Sequence, residues 1–364
     1  MDPEIPGDLR FLMGGENTYT QTLLANSPKG VEYVHHTKAL LDGSLEYLPI
    51  HRILANLIKL RILPLSCGTQ AILLKRHFDL VHVHAYSVKI LGKETPLVLS
   101  DSSSNYLFLR DYLNWPWWRI KLGCMMRKFI FDKFGVIDAD TNLGKAVKLI
   151  VFSKFAAKIH KDLGISAKKI EVVYPGLPSQ KNKARKNKNI INILFIGIWF
   201  ERKGGLLLLE AFKILSKKFP NLRLTIIGPI PKNIEISGLP IFQKDFVPRA
   251  ELLNTFFPNA DILVLVPSKA EGYGFVVEEA ASFGIPAVVS KVYALPEIVD
   301  DGKTGFVVSP GSVEDLVEEL EMLIKNQKLR QKFGEAALSK FEKEFSVERS
   351  NQRLLKVYQE ALTT

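Results

Sequence analysis

Residues 268–290 read SKAEGYGFVVEEAASFGIPAVVS and set three carboxylates, Glu271, Glu278 and Glu279, around a Gly-Tyr-Gly turn and the start of an apolar helix. A helix starting near Tyr273–Phe275 would offer free backbone amides, which favour an anion. Carboxylates are acceptors and repel anions. Side chains on a helix lean toward its N-terminus, so Glu279 is expected to reach back over the loop. Glu278 lies about 100° further round and is expected to face solvent. Acceptors beside free amides suit a ligand whose hydroxyls sit next to phosphates. Each hydrogen bond from such a hydroxyl to a charged acceptor contributes about 1.5–3 kcal/mol. Acids in a first helical turn also complement the helix dipole, and spacing alone leaves both readings open.

A second group follows the apolar run INILFIGI, where Arg202 and Lys203 precede Gly204-Gly205 and a helix. An ammonium and a planar guanidinium suit a diphosphate whose charge grows as it departs. A third candidate is the glycine pair Gly14 and Gly15 after LRFLM, with Glu16 as a polar contact. All seven histidines lie in residues 1–160. His82 and His84 share one face of an expected strand. No third ligand has the spacing of a metal site, so no metal and no cofactor are assigned.

These residues need a scaffold. In the first half, LRFLMGG, GVEYVHH, FDLVHVHA, TPLVLS, VKLIVFS and IEVVYPG read as strands separated by helical stretches. In the second half INILFIGI, LRLTIIGP, DILVLVP, IPAVVS and TGFVV do the same, and the chain closes on a helix from Val347. Such alternation implies α/β architecture with parallel sheets covered on both faces. In these sheets ligands bind beyond the carboxyl ends of the strands, where each group above falls. The polar, basic stretch SQKNKARKNKN (179–189) separates two expected domains, 1–180 and 181–346, with the helix 347–364 returning to the first.

The net charge of the 364 residues is +11, of which residues 1–180 carry +7. The stretch KNKARKNK (181–188) carries +5, so the rest of residues 181–364 is net −1. A basic first half favours phosphate-rich partners, an anionic membrane surface or nucleic acid. WPWWRIKLGCMMRKFIFDK and HRILANLIKLRIL mix basic and apolar residues as interfacial segments do. Both could equally be core helices with solvated lysines, and the tryptophans could stack on single-stranded nucleic acid. No run of uncharged apolar residues reaches membrane-spanning length. The N-terminal MDPEIPGDLRFLMGG lacks the pattern of a signal peptide, so the expected location is the cytoplasm, including the inner face of the membrane. Cys67 and Cys124 form no disulfide framework.

The chain resembles the retaining GT-B glycosyltransferases of family four, the glycosyl transferases group one. The resemblance rests on PSKAEGYGFVVEEAASFGIPAVVS, IGIWFERKGGLLLLEAF, ALPEIVDDGKTGFVVSPGSVEDL and VFSKFAAKIHKDLGISAKKIEVVYPG. It covers about residues 145–345 well and the first 140 weakly. It implies two doubly wound Rossmann-like domains facing a central cleft. It also implies that Glu271 and the amides of Gly272, Tyr273, Gly274 and Phe275 hold the donor sugar, and that Glu279 holds the ribose. Gly14 and Gly15 would face the donor phosphate and acceptor. Phe246 and Arg249 would line the base pocket, and His84 would lie near the cleft with His82 packed in the core.

Three departures stand out. Ile198 replaces the family's usual arginine after the strand, leaving Lys203, with Arg202, the phosphate work. Tyr293 and Ala294 replace the glycines before Pro296-Glu297. VLSDSSSN has no histidine where relatives carry one, so Ser102 takes that position with Asp101 and Ser103 beside it. A serine can donate to a sugar oxygen but is no base near neutral pH. The resemblance implies that the leaving phosphate takes the acceptor proton, with no metal required.

The expected function is transfer of a sugar from a UDP- or GDP-sugar to a glycan or lipid-linked acceptor, with retention and without nucleic acid. Three alternatives stay open: a non-catalytic sugar-nucleotide-binding partner subunit, a sugar-nucleotide epimerase of the same fold, and a nucleic-acid binder relying on the basic half.

Overall fold

The computed structural model describes residues 9–14, 18–48, 70–84, 88–91, 95–103, 107–112, 114–122, 125, 144–180 and 190–364. The chain divides into two compact units, residues 1–176 with 347–364, and residues 177–346.

In the first unit the strands are β1 (Leu9–Gly14), β2 (Val31–His35), β3 (Leu45–Leu48), β4 (Gln70–Leu74), β5 (Leu80–His84), β6 (Val88–Leu91), β7 (Leu97–Asp101), β8 (Lys148–Val151) and β9 (Ile170–Val172). Six of them form a parallel sheet in the order β2-β1-β5-β7-β8-β9, and β3, β4 and β6 form a small separate sheet. The central strands β5 and β8 are buried along their whole length. Parallel strands covered by helices on both faces are buried in this way, here together with the polar His82, His84 and Lys148. Ser153 starts the helix Lys154–Asp162 by accepting from the Ala156 amide at 3.0 Å.

The last helix, Val347–Leu362, packs on this sheet through buried Leu354, Val357, Tyr358 and Ala361. The Tyr358 hydroxyl lies 2.7 Å from that of Tyr33 and 2.8 Å from His82 Nδ1. His82 is therefore a core residue, and burial beside His84 holds its imidazole down to about 3.

The second unit carries β10 (Ile191–Ile196), β11 (Leu222–Ile227), β12 (Ile241–Lys244), β13 (Ile262–Leu265), β14 (Ala287–Ser290) and β15 (Gly305–Val308). They form one parallel sheet in the order β12-β11-β10-β13-β14-β15. Counted along the unit this is 3-2-1-4-5-6, the doubly wound order whose direction reverses between its first and fourth strands. Here those strands are β10 and β13. The helix Gly205–Lys218 lays Leu208, Leu209, Ala211, Phe212 and Leu215 on the sheet, a stripe at helical spacing. Ser312 and Asn326 cap the helices Val313–Lys325 and Gln327–Glu344. The latter helix and strand β12 are additions to the sequence reading.

Among the described residues no helix is long and apolar enough to cross a membrane. HRILANLIKLRIL (51–63), Cys67, Cys124 and KNKARKNK (181–188) lie outside the described residues.

Candidate functional site

The site is built where the sheet of the second unit reverses direction. The loop after β10 carries Arg202 and Lys203, and the loop after β13 carries Glu271. Gly204, at φ 88°, turns the first loop into its helix. A Cβ there would stand 2.1 Å from the Val266 carbonyl oxygen, so the two loops touch through backbone that only glycine permits. Ser290 at the end of β14 donates to the Pro267 carbonyl at 2.6 Å and fixes the start of the second loop.

The two loops meet at a carboxylate. Lys203 Nζ stands 3.0 Å from Glu271 Oε1 and 2.9 Å from Oε2. Arg202 Nη1 lies 3.7 Å from Oε2 and donates to the Ala270 carbonyl at 3.2 Å. The Gly272 amide donates to Glu271 Oε1 at 3.2 Å. Glu271 is buried, so a charged residue is held away from water by two cations and an amide. Gly274 at φ 101° then opens the helix Phe275–Ser282, and Tyr273 packs inward against Phe275.

Glu279, one turn into that helix, is also buried. Its partner is Arg249, whose Nη1 lies 2.5 Å from Oε1. Burial raises the Glu279 carboxyl pKa, and the Arg249 charge opposes the rise. The other base-pocket candidate, Phe246, is 76% exposed.

Glu278 corrects the sequence expectation. It is 0% exposed rather than turned to solvent. The helix is covered nearly all round, and Val277 through Ser282 are all buried. A rotation of about 100° from Glu279 therefore points into packed protein, not water. Burial, aided by the Glu279 charge and opposed by the Tyr273 hydroxyl, raises the Glu278 carboxyl well above the usual range.

Ile198, where the resemblance leads one to expect an arginine, is 72% exposed and leaves Lys203 and Arg202 as the cations on this loop. Tyr293 keeps a left-handed backbone at φ 51° although it replaces a glycine. The turn before Pro296 survives the substitution at the cost of local strain.

In the first unit, His84 ends β5 and Asp101 ends β7, on the same carboxyl rim. His84 Nδ1 lies 3.0 Å from Ser100 Oγ, and its ring stacks on Phe152. Burial lowers the His84 pKa, and Asp101 opposes the shift. Asp101 Oδ1 accepts from the Ser103 amide at 3.1 Å. Ser102 is half-buried beside it. Gly14 ends β1, while Gly15 and Glu16 lie outside the described residues.

One neighbour of this group escaped the sequence reading. Buried His160 brings Nε2 to 3.5 Å from Asp101 Oδ2. It sits two turns after Ser153 on the face that buries Ala156 and Ala157. A histidine on an apolar stripe was the available signal. Among the described residues, no group of three or more histidines, cysteines or acids could hold a metal ion.

Residues 178–340 match the family model for glycosyl transferases group 1. The sulfoquinovosyl transferase SQD2 of Arabidopsis thaliana is 34% identical over 142 residues, 37% of this chain and 28% of that protein. An uncharacterized glycosyltransferase of Methanocaldococcus jannaschii is 31% identical over 239 residues, 63% of this chain and 62% of its own length. The chain thus spans under two thirds of the length of both. The crystal structure of Anabaena HepE in complex with UDP-glucose superposes with a TM-score of 0.61 at 15% identity, covering 96% of this chain and 98% of that one. The fold is that of the GT-B glycosyltransferases.

Proposed function

We propose that the chain is a glycosyltransferase that moves a sugar from a nucleotide-activated donor to an acceptor hydroxyl with retention of configuration. One observation carries the reading: both loops at the switch point of the second unit converge on the buried carboxylate Glu271, beside a helix N-terminus that no side chain caps and a second buried carboxylate, Glu279. The match of residues 178–340 to glycosyl transferases group 1 and the UDP-glucose bound to HepE support it.

In this reading Glu271 accepts from hydroxyls of the donor sugar, and the amides of Gly272 to Phe275 meet the charged linkage. Glu279 accepts from the ribose. Lys203 and Arg202 balance Glu271 in the free protein and stabilise the diphosphate as its charge grows on departure. They take the role that other transferases give to a metal ion. The leaving phosphate takes the acceptor proton. Ser102 and Asp101 hold the acceptor by hydrogen bonds, because a serine hydroxyl is no base near neutral pH. Gly14 ends β1, next to β5, which ends at His84.

The acceptor is a glycan or a lipid-linked sugar, met at a membrane surface. Trp118, Leu122 and Met125 recur at helical spacing and are all exposed, with exposed Arg119 and Lys121 between them. The Arg119 guanidinium lies over the Trp115 ring at 4.4 Å. Apolar side chains among cations suit an anionic bilayer interface. The protein should sediment with anionic vesicles and stay in solution with neutral ones.

A screen of UDP- and GDP-sugars for binding and slow hydrolysis tests the donor. A nucleotide at 100 times its dissociation constant adds about 2.7 kcal/mol of stability. No stabilisation by either diphosphate ends the donor-site reading. Binding without hydrolysis or transfer points instead to a non-catalytic partner subunit.

A further inference from the structure

The resemblance sets Arg249 at the base pocket and Glu279 at the ribose, but implies no contact between the two, which the structure shows. Arg249 follows β12, in the three-residue helix Arg249–Glu251. Glu279 comes from the helix after β13. Their side chains are 43% and 7% exposed, so a surface cation reaches inward to a buried anion. Arg249 Nη1 stands against Glu279 Oε1.

The environment explains why a cation is needed there. Glu279 neighbours Glu278 on the same helix, and both carboxyls are buried. Two adjacent buried carboxyls do not both ionise without a counter-charge. Among the described residues, the charged and titratable groups that the structure shows interacting with Glu279 are Arg249, from the segment after β12, and Glu278, on its own helix. Lys203 and Arg202 are already engaged by Glu271. Arg249 therefore decides which of the two acids is charged. A neutral acid at position 279 would present one hydroxyl donor and a weaker acceptor to a diol. An ionised one presents two acceptors.

We propose that Arg249 is a positioning residue for the nucleotide, holding Glu279 ionised with one carboxylate oxygen free for the ribose diol. The inference rests on the nucleotide-sugar reading of the site. Arg249 stays on Oε1 while the ribose hydroxyls donate to Oε2. Its contribution to binding thus passes through the protonation state of Glu279.

The test is calorimetric titration of the full chain with UDP and GDP between pH 6 and 9. Wild type is compared with Arg249→Gln, which keeps bulk without charge, and Arg249→Lys, which keeps charge. Removing the cation raises the Glu279 pKa, so Arg249→Gln should bind about tenfold more weakly near neutral pH and converge with wild type at alkaline pH. Arg249→Lys should follow wild type. With the 2′,3′-dideoxy form of the nucleotide that binds, wild type and Arg249→Gln should coincide at every pH, because the ribose hydroxyls are gone. An equal loss at all pH values, a loss that persists with the dideoxy nucleotide, or no loss at all would overturn the inference and leave the site reading intact. Failure of wild type to bind either diphosphate removes the site reading, and the inference with it.

Discussion

Lys203 Nζ touches both oxygens of Glu271, at 3.0 and 2.9 Å, across 68 residues of sequence. The pair joins the two loops at the switch point of the second sheet, so it is both a structural clasp and the centre of the proposed donor site. Removing one partner strands a buried charge, whereas removing both does not. Lys203→Met should lower stability by about 3 kcal/mol, and Lys203→Met with Glu271→Leu should recover most of that loss. Denaturant midpoints of the three proteins check this. Both variants should lose transfer about 100-fold or more, because the cation facing the leaving diphosphate is gone. Turnover like wild type in Lys203→Met would refute its phosphate role.

Glu278→Gln should leave nucleotide affinity nearly unchanged, while Glu279→Gln weakens it. Burial pushes the Glu278 carboxyl well above the usual range, toward the protonated form that glutamine copies. Stability should respond differently. A carboxyl whose folded pKa is raised binds more protons folded than unfolded, so its contribution falls as pH climbs above the unfolded value of about 4.5. Glu278→Gln should therefore match wild type near pH 4 and gain on it by up to about 1.4 kcal/mol per pH unit above that. Parallel stability curves would show that Glu278 is ionised in the fold.

His82 gives the first unit an acid limb. Its folded pKa of about 3 lies below the unfolded value of about 6.5, so the unfolded chain binds the extra proton between them. Stability contributed by neutral His82 is complete above about pH 6.5 and is lost as pH falls toward 3, at up to about 1.4 kcal/mol per unit. His82→Gln should flatten this limb in chemical denaturation from pH 4 to 7. An unchanged slope would assign the acid sensitivity elsewhere.

Gly204→Ala tests the contact between the two site loops. The φ of 88° and a Cβ placed 2.1 Å from the Val266 oxygen together should cost about 2–4 kcal/mol. Gly238→Ala is the control. It has φ +74° with nothing within 4 Å, and should cost only about 1 kcal/mol. Equal losses in thermal unfolding would leave conformation, and not the close approach, as the reason for glycine at position 204.

Sequence alone determined the alternating strands and helices, because short runs rich in Ile, Leu and Val that end in glycine or proline, such as DILVLVP and LRLTIIGP, read as buried parallel strands. It also placed Glu271, Lys203 and Glu279 on the carboxyl rim, since each follows such a strand within a few residues of glycine. It did not disclose β12 (IFQK), whose residues alternate between half-buried and exposed at the sheet edge, nor the small sheet of β3, β4 and β6. Short strands with mixed composition carry no periodic signal. Packing decided the rest. Which face of the helix Phe275–Ser282 meets water depends on what covers it, so Glu278 proved buried where helical rotation alone suggested solvent. His160 beside Asp101 and Arg249 beside Glu279 are pairs 59 and 30 residues apart in the chain. Local spacing carries no information about such contacts, because only the crossing of separate elements brings the charges together.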